Sequence, residues 1–296
     1  MNKLSGKQLA DQIYQELETR IKLLTEKGIK PGLGVILVGE RKDSQTYVNM
    51  KTKKCTELGI ESVQHVLPEN VPQEEVIKIV EQLNEDKSIH GILIQLPLPK
   101  HINESEVLNK VKLEKDVDGF HHTNVGLLTL NQSPSFVPCT PDGCMRLIKS
   151  VEPYITGKHA VVLGRSRIVG MPMAMLLLQH NATVTVCHSR TQNMENIVKN
   201  ADIVVAACGR PQMVKGSWLK EGAIVIDVGI NSIEDASRPR GYRLVGDVDY
   251  ESVSNVKAIT PVPGGVGPMT ICMLMEHTVR SAEVLLEKIP AKSSST

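Results

Sequence analysis

Hydrophobic positions recur along this chain in two alternating rhythms, one of helical period and one of short unbroken apolar runs. Leu9, Ile13, Leu17, Ile21 and Leu24 fall at helical spacing, behind a Ser5-x-x-Gln8 pattern that resembles a capping box and ahead of a stop at Gly28. Gly34-Val-Ile-Leu-Val-Gly39 is a brief apolar run bounded by glycine, which predicts a buried strand. The same reasoning predicts a helix over Ser44–Leu58 stopped by Gly59, a strand near Ser62–Leu67, a helix near Gln73–Asn84 and a strand over Gly91–Leu96. Pro97-Leu98-Pro99 then breaks the chain, and Asn103-x-x-Glu106 starts another helix.

From about Pro141 a second series begins, with strands expected at His159–Leu163, Thr183–Cys187, Ile203–Ala206, Ala223–Val228 and Lys257–Ile259. Helices are expected at Gly170–Gln179, around Met194–Lys199 and over Pro268–Glu287. Helices between short apolar strands define an α/β chain with parallel sheets. The expected architecture is two αβ domains, the second a Rossmann-type parallel sheet, with an interdomain cleft and a C-terminal helix returning to the first domain. The expected boundaries are 1–140 plus 268–288 for the first domain and 141–267 for the second, with 289–296 as a disordered tail or linker.

Composition narrows the partners. A length of 296 residues suits two domains or one large one, and 41% hydrophobic content can bury proper cores. Basic and acidic residues nearly cancel, 34 against 33, so no overall field draws nucleic acid or an anionic membrane. Any anionic ligand must be met by local groups. Cys55, Cys139, Cys144, Cys187, Cys208 and Cys272 form no C-x-x-C pair and match neither a zinc site nor a disulfide framework. Scattered thiols, an N-terminus without a signal-peptide core and no run long enough to span a bilayer predict a cytosolic protein.

Candidate chemistry gathers at the predicted strand ends. Thr260-Pro-Val-Pro-Gly-Gly-Val-Gly-Pro-Met-Thr270 puts three glycines between prolines, which lets a backbone approach a ligand closely. Val161-Val162-Leu163 followed by Gly164-Arg165-Ser166 and Gly170 reads as strand, glycine turn and helix start. It departs from the G-x-G-x-x-G dinucleotide fingerprint, since Ser166 replaces the second glycine and one extra residue precedes Gly170. The place where an NAD site carries a carboxylate reads Cys187-His188-Ser189-Arg190-Thr191. A hydroxyl and a guanidinium there, with Arg165 and Arg167 nearby, suit a 2′-phosphate and put NADP ahead of NAD.

In the first half, Tyr47 and Lys51 lie four apart on a predicted helix and share a face, which equally describes a surface pair. Gln95 closes a strand, where most such glutamines satisfy loop backbone. Lys115-Asp-Val-Asp-Gly119 reads as a turn; a metal loop is conceivable, but too few acidic neighbours follow for a calcium site. His121 and His122 face apart on any regular element and lack a third zinc ligand, so no metal is expected.

Together, Tyr47-Val-Asn-Met-Lys51, Gln95-Leu-Pro-Leu-Pro99, Lys115–Gly119, Pro138-Cys-Thr-Pro141, Gly164–Ser166, Asp227-Val-Gly-Ile-Asn231, Val245-Gly-Asp-Val248 and Thr260–Thr270 resemble the bifunctional methylenetetrahydrofolate dehydrogenase/methenyltetrahydrofolate cyclohydrolase (FolD) family. The resemblance runs from about Leu4 to Leu286. It implies a Rossmann domain holding NADP, a tetrahydrofolate-derived substrate in the cleft, and a homodimer. By the same resemblance Tyr47 stacks on the aminobenzoyl ring, Lys51 is the catalytic lysine assisted by Gln95, and Asp118 holds the pterin. Val48, Ile94, Leu96, Pro263, Gly264, Gly265, Val266 and Gly267 complete the implied folate contacts. Thr140, Gly164, Arg165, Ser166, Ser189 and Ile230 line the implied cofactor site. The implied reaction oxidises 5,10-methylenetetrahydrofolate with NADP and hydrolyses the methenyl product to 10-formyltetrahydrofolate. Two alternatives remain: an NADP-dependent dehydrogenase of another small substrate, of shikimate or amino-acid type, and a non-catalytic NADP-binding sensor.

Overall fold

The computed structural model describes residues 2–238 and 241–287. In chain order the elements are β1 (Asn2–Lys3), α1 (Gly6–Glu26), β2 (Gly32–Val38), α2 (Lys42–Leu58), β3 (Glu61–Leu67), α3 (Gln73–Glu85), β4 (Gly91–Ile94), α4 (Glu104–Leu108) and α5 (His122–Thr129). They continue with α6 (Cys139–Val151), β5 (His159–Leu163), α7 (Gly170–Gln179), β6 (Thr183–Cys187), α8 (Met194–Val198), β7 (Ile203–Ala206) and β8 (Ile224–Asp227). The last are β9 (Asn231–Glu234), β10 (Tyr242–Val245), β11 (Ala258–Ile259) and α9 (Val266–Glu287). The tail expected at 289–296 lies outside the described residues.

The predicted starts rest on side chains that act as caps. Ser5 Oγ accepts the Gln8 N–H at 3.3 Å, and Asn103 Oδ1 accepts those of Ser105 and Glu106 at 3.1 and 3.3 Å. Several boundaries move by a residue or two, and two of the shifts have a plain cause. The strand expected to reach Leu96 stops at Ile94, because Pro97 brings no N–H to a ladder. The last helix starts at Val266, so Pro268 sits inside its first turn, where a missing N–H leaves no gap.

The chain divides into two compact units. One comprises Ile13–Gly126, Pro134–Val137 and the chain from Met273 onward. Its three-stranded parallel sheet has the order β3-β2-β4, and all seven residues of β2 are buried. Ile36, Val76, Val80, Leu83, Ile89 and Ile92 form one core, a cluster that loses roughly 2–5 kcal/mol per leucine or isoleucine cut to alanine. The second part of α9 is tied into this unit. Met275 Sδ lies 3.5 Å from Cys55 Sγ, and Glu283 takes a two-point hydrogen bond from Arg20 at 2.8 and 2.7 Å.

The other unit comprises the chain up to Gln12 with Leu127–Ser133 and Pro138–Cys272. Its six parallel strands run in the order β1-β11-β8-β7-β5-β6 around a core of Val161, Leu163, Val204, Ala206, Val225 and Ile259. The chain leaves β5 for β6 on one side and then crosses to β7 on the other. That reversal makes the Rossmann-type switch point, where open α/β sheets bind ligands beyond the strand ends. Strand β1 and the antiparallel β9–β10 hairpin were not anticipated, since their polar residues carry no apolar run. No described helix is long and apolar enough to cross a membrane.

Candidate active site

Helix α2 buries Ser44, Val48, Lys51 and Cys55 along one stripe of helical period. Lys51 is therefore carried inward by its position on the helix, and only 8% of it is exposed. Its Nζ donates to Gln95 Oε1 at 3.0 Å. The Gln95 amide is oriented from behind, since its Nε2 donates to the Leu96 carbonyl at 2.9 Å, and its backbone N–H extends the sheet by bonding Ile36 O at 2.9 Å. A buried amine facing a fixed amide oxygen is held in place to take and return protons.

Tyr47 lies one turn before Lys51 and is half-buried, and that burial raises its phenol above the ordinary value. Val48 and Ile94 are buried at 2% exposure each, as apolar backing to Lys51 and Gln95. Beyond Gln95, the stretch Pro97–His101 and the turn Gly39–Arg41 line a cavity of about 720 Å³, which carries Arg41 and Lys100 together with Glu40 and Glu69.

Asp118 belongs to a separate turn whose other residues do structural work. Lys115 Nζ donates to the carbonyls of Leu83 and Asp86 at 2.9 and 2.7 Å. The Asp116 carboxylate accepts the N–H groups of Phe120 and His121 at 3.1 and 2.8 Å and Asn124 Nδ2 at 2.7 Å. Burial pushes Asp116 up to about 6 despite those donors, with the Asp118 charge adding to the rise. Asp118 is the partly exposed member of this braced turn. The structure joins Lys51 directly to Gln95, and Asp118 lies in the same compact unit. His122 is engaged by Ser105 and Asn109, and His121 Nδ1 accepts the Thr123 N–H. Among the described residues no group of three or more His, Cys, Asp or Glu could hold a metal ion.

In the Rossmann-type unit, Gly164, Arg165, Ser166 and Ser189 line a single cavity of about 270 Å³. Gly164 has φ 119°, and a Cβ there would collide with the Ala207 carbonyl, so the turn after β5 requires glycine. Ser166 Oγ accepts the N–H groups of Val169 and Gly170 at 3.2 and 3.3 Å, closing the turn into α7. Cys208, Arg210, Met194 and Met213 complete much of the wall, and no carboxylate lines it. Burial and the neighbouring Asp247 push the Cys208 thiol up to about 12, so it lines the cavity as an unreactive thiol. Neither Arg167 nor Arg190 is part of this lining. Thr140 and Ile230 also stand outside it: Thr140 Oγ1 pairs with Thr270 Oγ1 at 3.0 Å, and Ile230 is 46% exposed beside Gly267.

The glycine loop is braced by the N-terminal residues. Gly264 takes φ 103° and its carbonyl accepts the Lys7 N–H at 3.2 Å, while Gly6 packs so tightly on the Gly265 carbonyl that a side chain would overlap it. Pro263 follows a cis peptide and borders a cavity of about 280 Å³ shared with Lys3 and Arg243.

Asp227 and Asp247 stand in two of the sequence motifs, and the structure gives each a task. The Asp247 carboxylate accepts the N–H groups of Cys208, Gly209 and Arg210 at 2.7, 2.9 and 2.9 Å and Asn231 Nδ2 at 2.9 Å. Asp227 accepts those of Gly229, Asp247 and Val248 at 3.0, 2.8 and 2.9 Å. The two acids build the loops beyond β7 and β8. Arg210 was missed altogether, because only the loop that Asp247 holds brings it to the cavity.

A six-stranded parallel sheet with a carboxylate-free, arginine-bearing pocket at its switch point defines a dinucleotide-binding α/β protein. Residues 4–118 match the profile described as tetrahydrofolate dehydrogenase/cyclohydrolase, catalytic domain, and residues 138–286 match the corresponding NAD(P)-binding domain. The chain belongs to the tetrahydrofolate dehydrogenase/cyclohydrolase family. The bifunctional protein FolD of Acetivibrio thermocellus is 55% identical over 282 residues, covering 95% of this chain and 96% of its own length. The crystal structure of the bifunctional enzyme FolD from Campylobacter jejuni matches with a TM-score of 0.92 at 48% identity, covering 96% of this chain and 99% of that one. The Trypanosoma brucei FolD structure complexed with NADP cofactor and inhibitor also reaches 0.92, at 44% identity, with 95% and 97% covered.

Proposed function

We propose that the chain is a bifunctional enzyme that oxidises 5,10-methylenetetrahydrofolate to the methenyl form with NADP and hydrolyses that product to 10-formyltetrahydrofolate. The observation that carries the reading is the buried Lys51 ammonium held against the Gln95 amide. The carboxylate-free cavity beside Gly164 suits a phosphorylated dinucleotide, because Arg165 and Ser189 meet anionic oxygen with donors and no acid opposes them. NADP, when bound, accepts the hydride that leaves the one-carbon bridge.

The chain's own residues orient the folate and manage protons. Oxidation leaves a methenyl cation spread over two folate nitrogens and demands orientation more than acid or base, so held reactants gain most from proximity. Tyr47 stacks on the aminobenzoyl ring, Val48, Ile94 and Leu96 supply apolar wall, and Asp118 accepts from the pterin amino group and ring nitrogen. Hydrolysis differs. Water adds to the methenyl carbon and loses a proton, and cleavage of the bond to N5 returns a proton to that nitrogen. Lys51 carries those protons, with Gln95 holding its Nζ in place. Pro263, Gly264, Gly265, Val266 and Gly267 bound the ligands with backbone, and Thr140 and Ile230 belong with Gly164, Arg165, Ser166 and Ser189 on the cofactor side.

A cytoplasmic homodimer supplying one-carbon units to purine biosynthesis completes the reading, and sedimentation of the purified protein tests the dimer. The direct test of function is an assay with 5,10-methylenetetrahydrofolate and NADP, then NAD, following methenyl and formyl products separately. Formation of both products with NADP is expected. Turnover of shikimate- or amino-acid-type substrates instead, or NADP binding with no turnover, would overturn the assignment.

A further inference from the structure

We propose that Arg210 is a specificity-determining residue of the cofactor site, supplying a guanidinium to the 2′-phosphate of NADP opposite Ser189. The inference rests on the NADP reading above and adds a residue that no motif pointed to.

Sheet order makes the placement. Strand β5 lies between β6 and β7, so the loops beyond β6 and β7 flank the Gly164 turn on either side. With neighbouring strands roughly 4.8 Å apart, those loops stand about two strand spacings from one another. Ser189 follows β6, where the ribose 2′ group of a Rossmann-bound dinucleotide falls. Arg210 follows β7 and lines the same cavity of about 270 Å³, across from Ser189. An extended arginine is long enough to cover most of that gap.

Two further features favour the role. The Arg210 backbone does not drift, because its N–H and those of Cys208 and Gly209 all end on the Asp247 carboxylate. Its guanidinium, in contrast, has no carboxylate partner among the described residues, whereas Arg20, Arg41 and Arg243 are each engaged by an acid. With Arg165 it gives the cavity two cationic forks and no opposing acid. A guanidinium offers paired, charge-assisted hydrogen bonds to phosphate and gains nothing comparable from the neutral 2′-hydroxyl of NAD. Meanwhile Arg167 and Arg190, the arginines suggested by local sequence, do not reach the cavity wall.

The test is calorimetric titration of the full-length protein with NADP, NAD, adenosine 2′,5′-bisphosphate and adenosine 5′-monophosphate. Arg210→Gln is expected to weaken NADP and the bisphosphate roughly 10- to 100-fold while NAD and the monophosphate bind as before. Arg210→Lys recovers part of that difference, and Arg167→Gln and Arg190→Gln leave the NADP-to-NAD ratio unchanged. Equal weakening of NADP and NAD would assign Arg210 to the adenine or the pyrophosphate and overturn the proposal. So would an unchanged ratio in Arg210→Gln, or a collapse of the ratio in Arg190→Gln. Failure of the wild-type chain to bind NADP at all would instead remove the cofactor reading itself, and the two failures are distinguishable. Arg210 is exposed, so unaltered melting of the unliganded variants confirms that folding is not the cause.

Discussion

Lys51 and Gln95 stand 44 residues apart in the chain and meet through one 3.0 Å hydrogen bond, whose acceptor is an amide rather than a carboxylate. That choice has a measurable consequence. In Gln95→Glu a negative charge would face the ammonium and favour its protonated form, so the half-maximal pH of hydrolysis should rise. The oxidation profile should stay where it is, because the proposed mechanism asks nothing of Lys51 as an acid or base in that step. Initial rates of both steps across pH 6 to 10 check this, and an unmoved or lowered hydrolysis profile would contradict it. Tyr47 and Lys51 were legible as a pair sharing a helical face. Gln95 as the partner of Lys51 came only with the family resemblance, because a glutamine at a strand end looks the same whether it serves a loop or an ammonium.

At the scale of elements, the most informative group is the pair of loops built on Asp227 and Asp247. Burial, and then the charge of Asp247, push Asp227 up to about 7 against an ordinary value near 4. The folded chain therefore holds a proton that the unfolded chain releases. Asp227 contributes most to stability below about pH 4, and that contribution is lost as pH rises towards 7. Asp227→Asn removes this dependence while giving up part of the acceptor set for Gly229, Asp247 and Val248. Its stability deficit in urea melts should be larger at pH 5 than at pH 8, by on the order of 1–3 kcal/mol. An equal deficit at both values, or a larger one at pH 8, would contradict the assignment. Strands β5, β7 and β8 were readable as short apolar runs and β6 as an alternating Thr-Val run, and α7 because a glycine turn and Pro172 mark its start. Strand β1 and the β9–β10 hairpin were not, since Asn2 and Lys3 pair through backbone alone and the hairpin is largely exposed. Helix α6 begins Cys139-Thr-Pro-Asp-Gly, which reads as a turn. The buried face of Cys139, Cys144, Met145, Leu147 and Ile148 holds it as a helix.

For the whole molecule, a ligand that binds only the folded chain stabilises it by mass action. NADP at a hundred times its dissociation constant should add about 2.7 kcal/mol, and NAD at the same concentration less. Thermal melts with each nucleotide read the difference, and equal shifts would contradict a site built for the 2′-phosphate. The α/β class and its parallel strand series were evident from periodicity. Long-range ties, such as Asp247 to the 208–210 loop and Lys7 to Gly264, leave no local pattern to read.

The proposed function divides the labour: Lys51 is assigned to hydrolysis, and orientation alone to hydride transfer. Lys51→Met, purified and assayed for both steps on the same preparation, addresses it most directly. The variant should lose methenyl hydrolysis by two or more orders of magnitude, about the contribution of a general acid–base group, and keep measurable NADP-dependent oxidation. Proportional loss of both activities, or hydrolysis that survives, would contradict it.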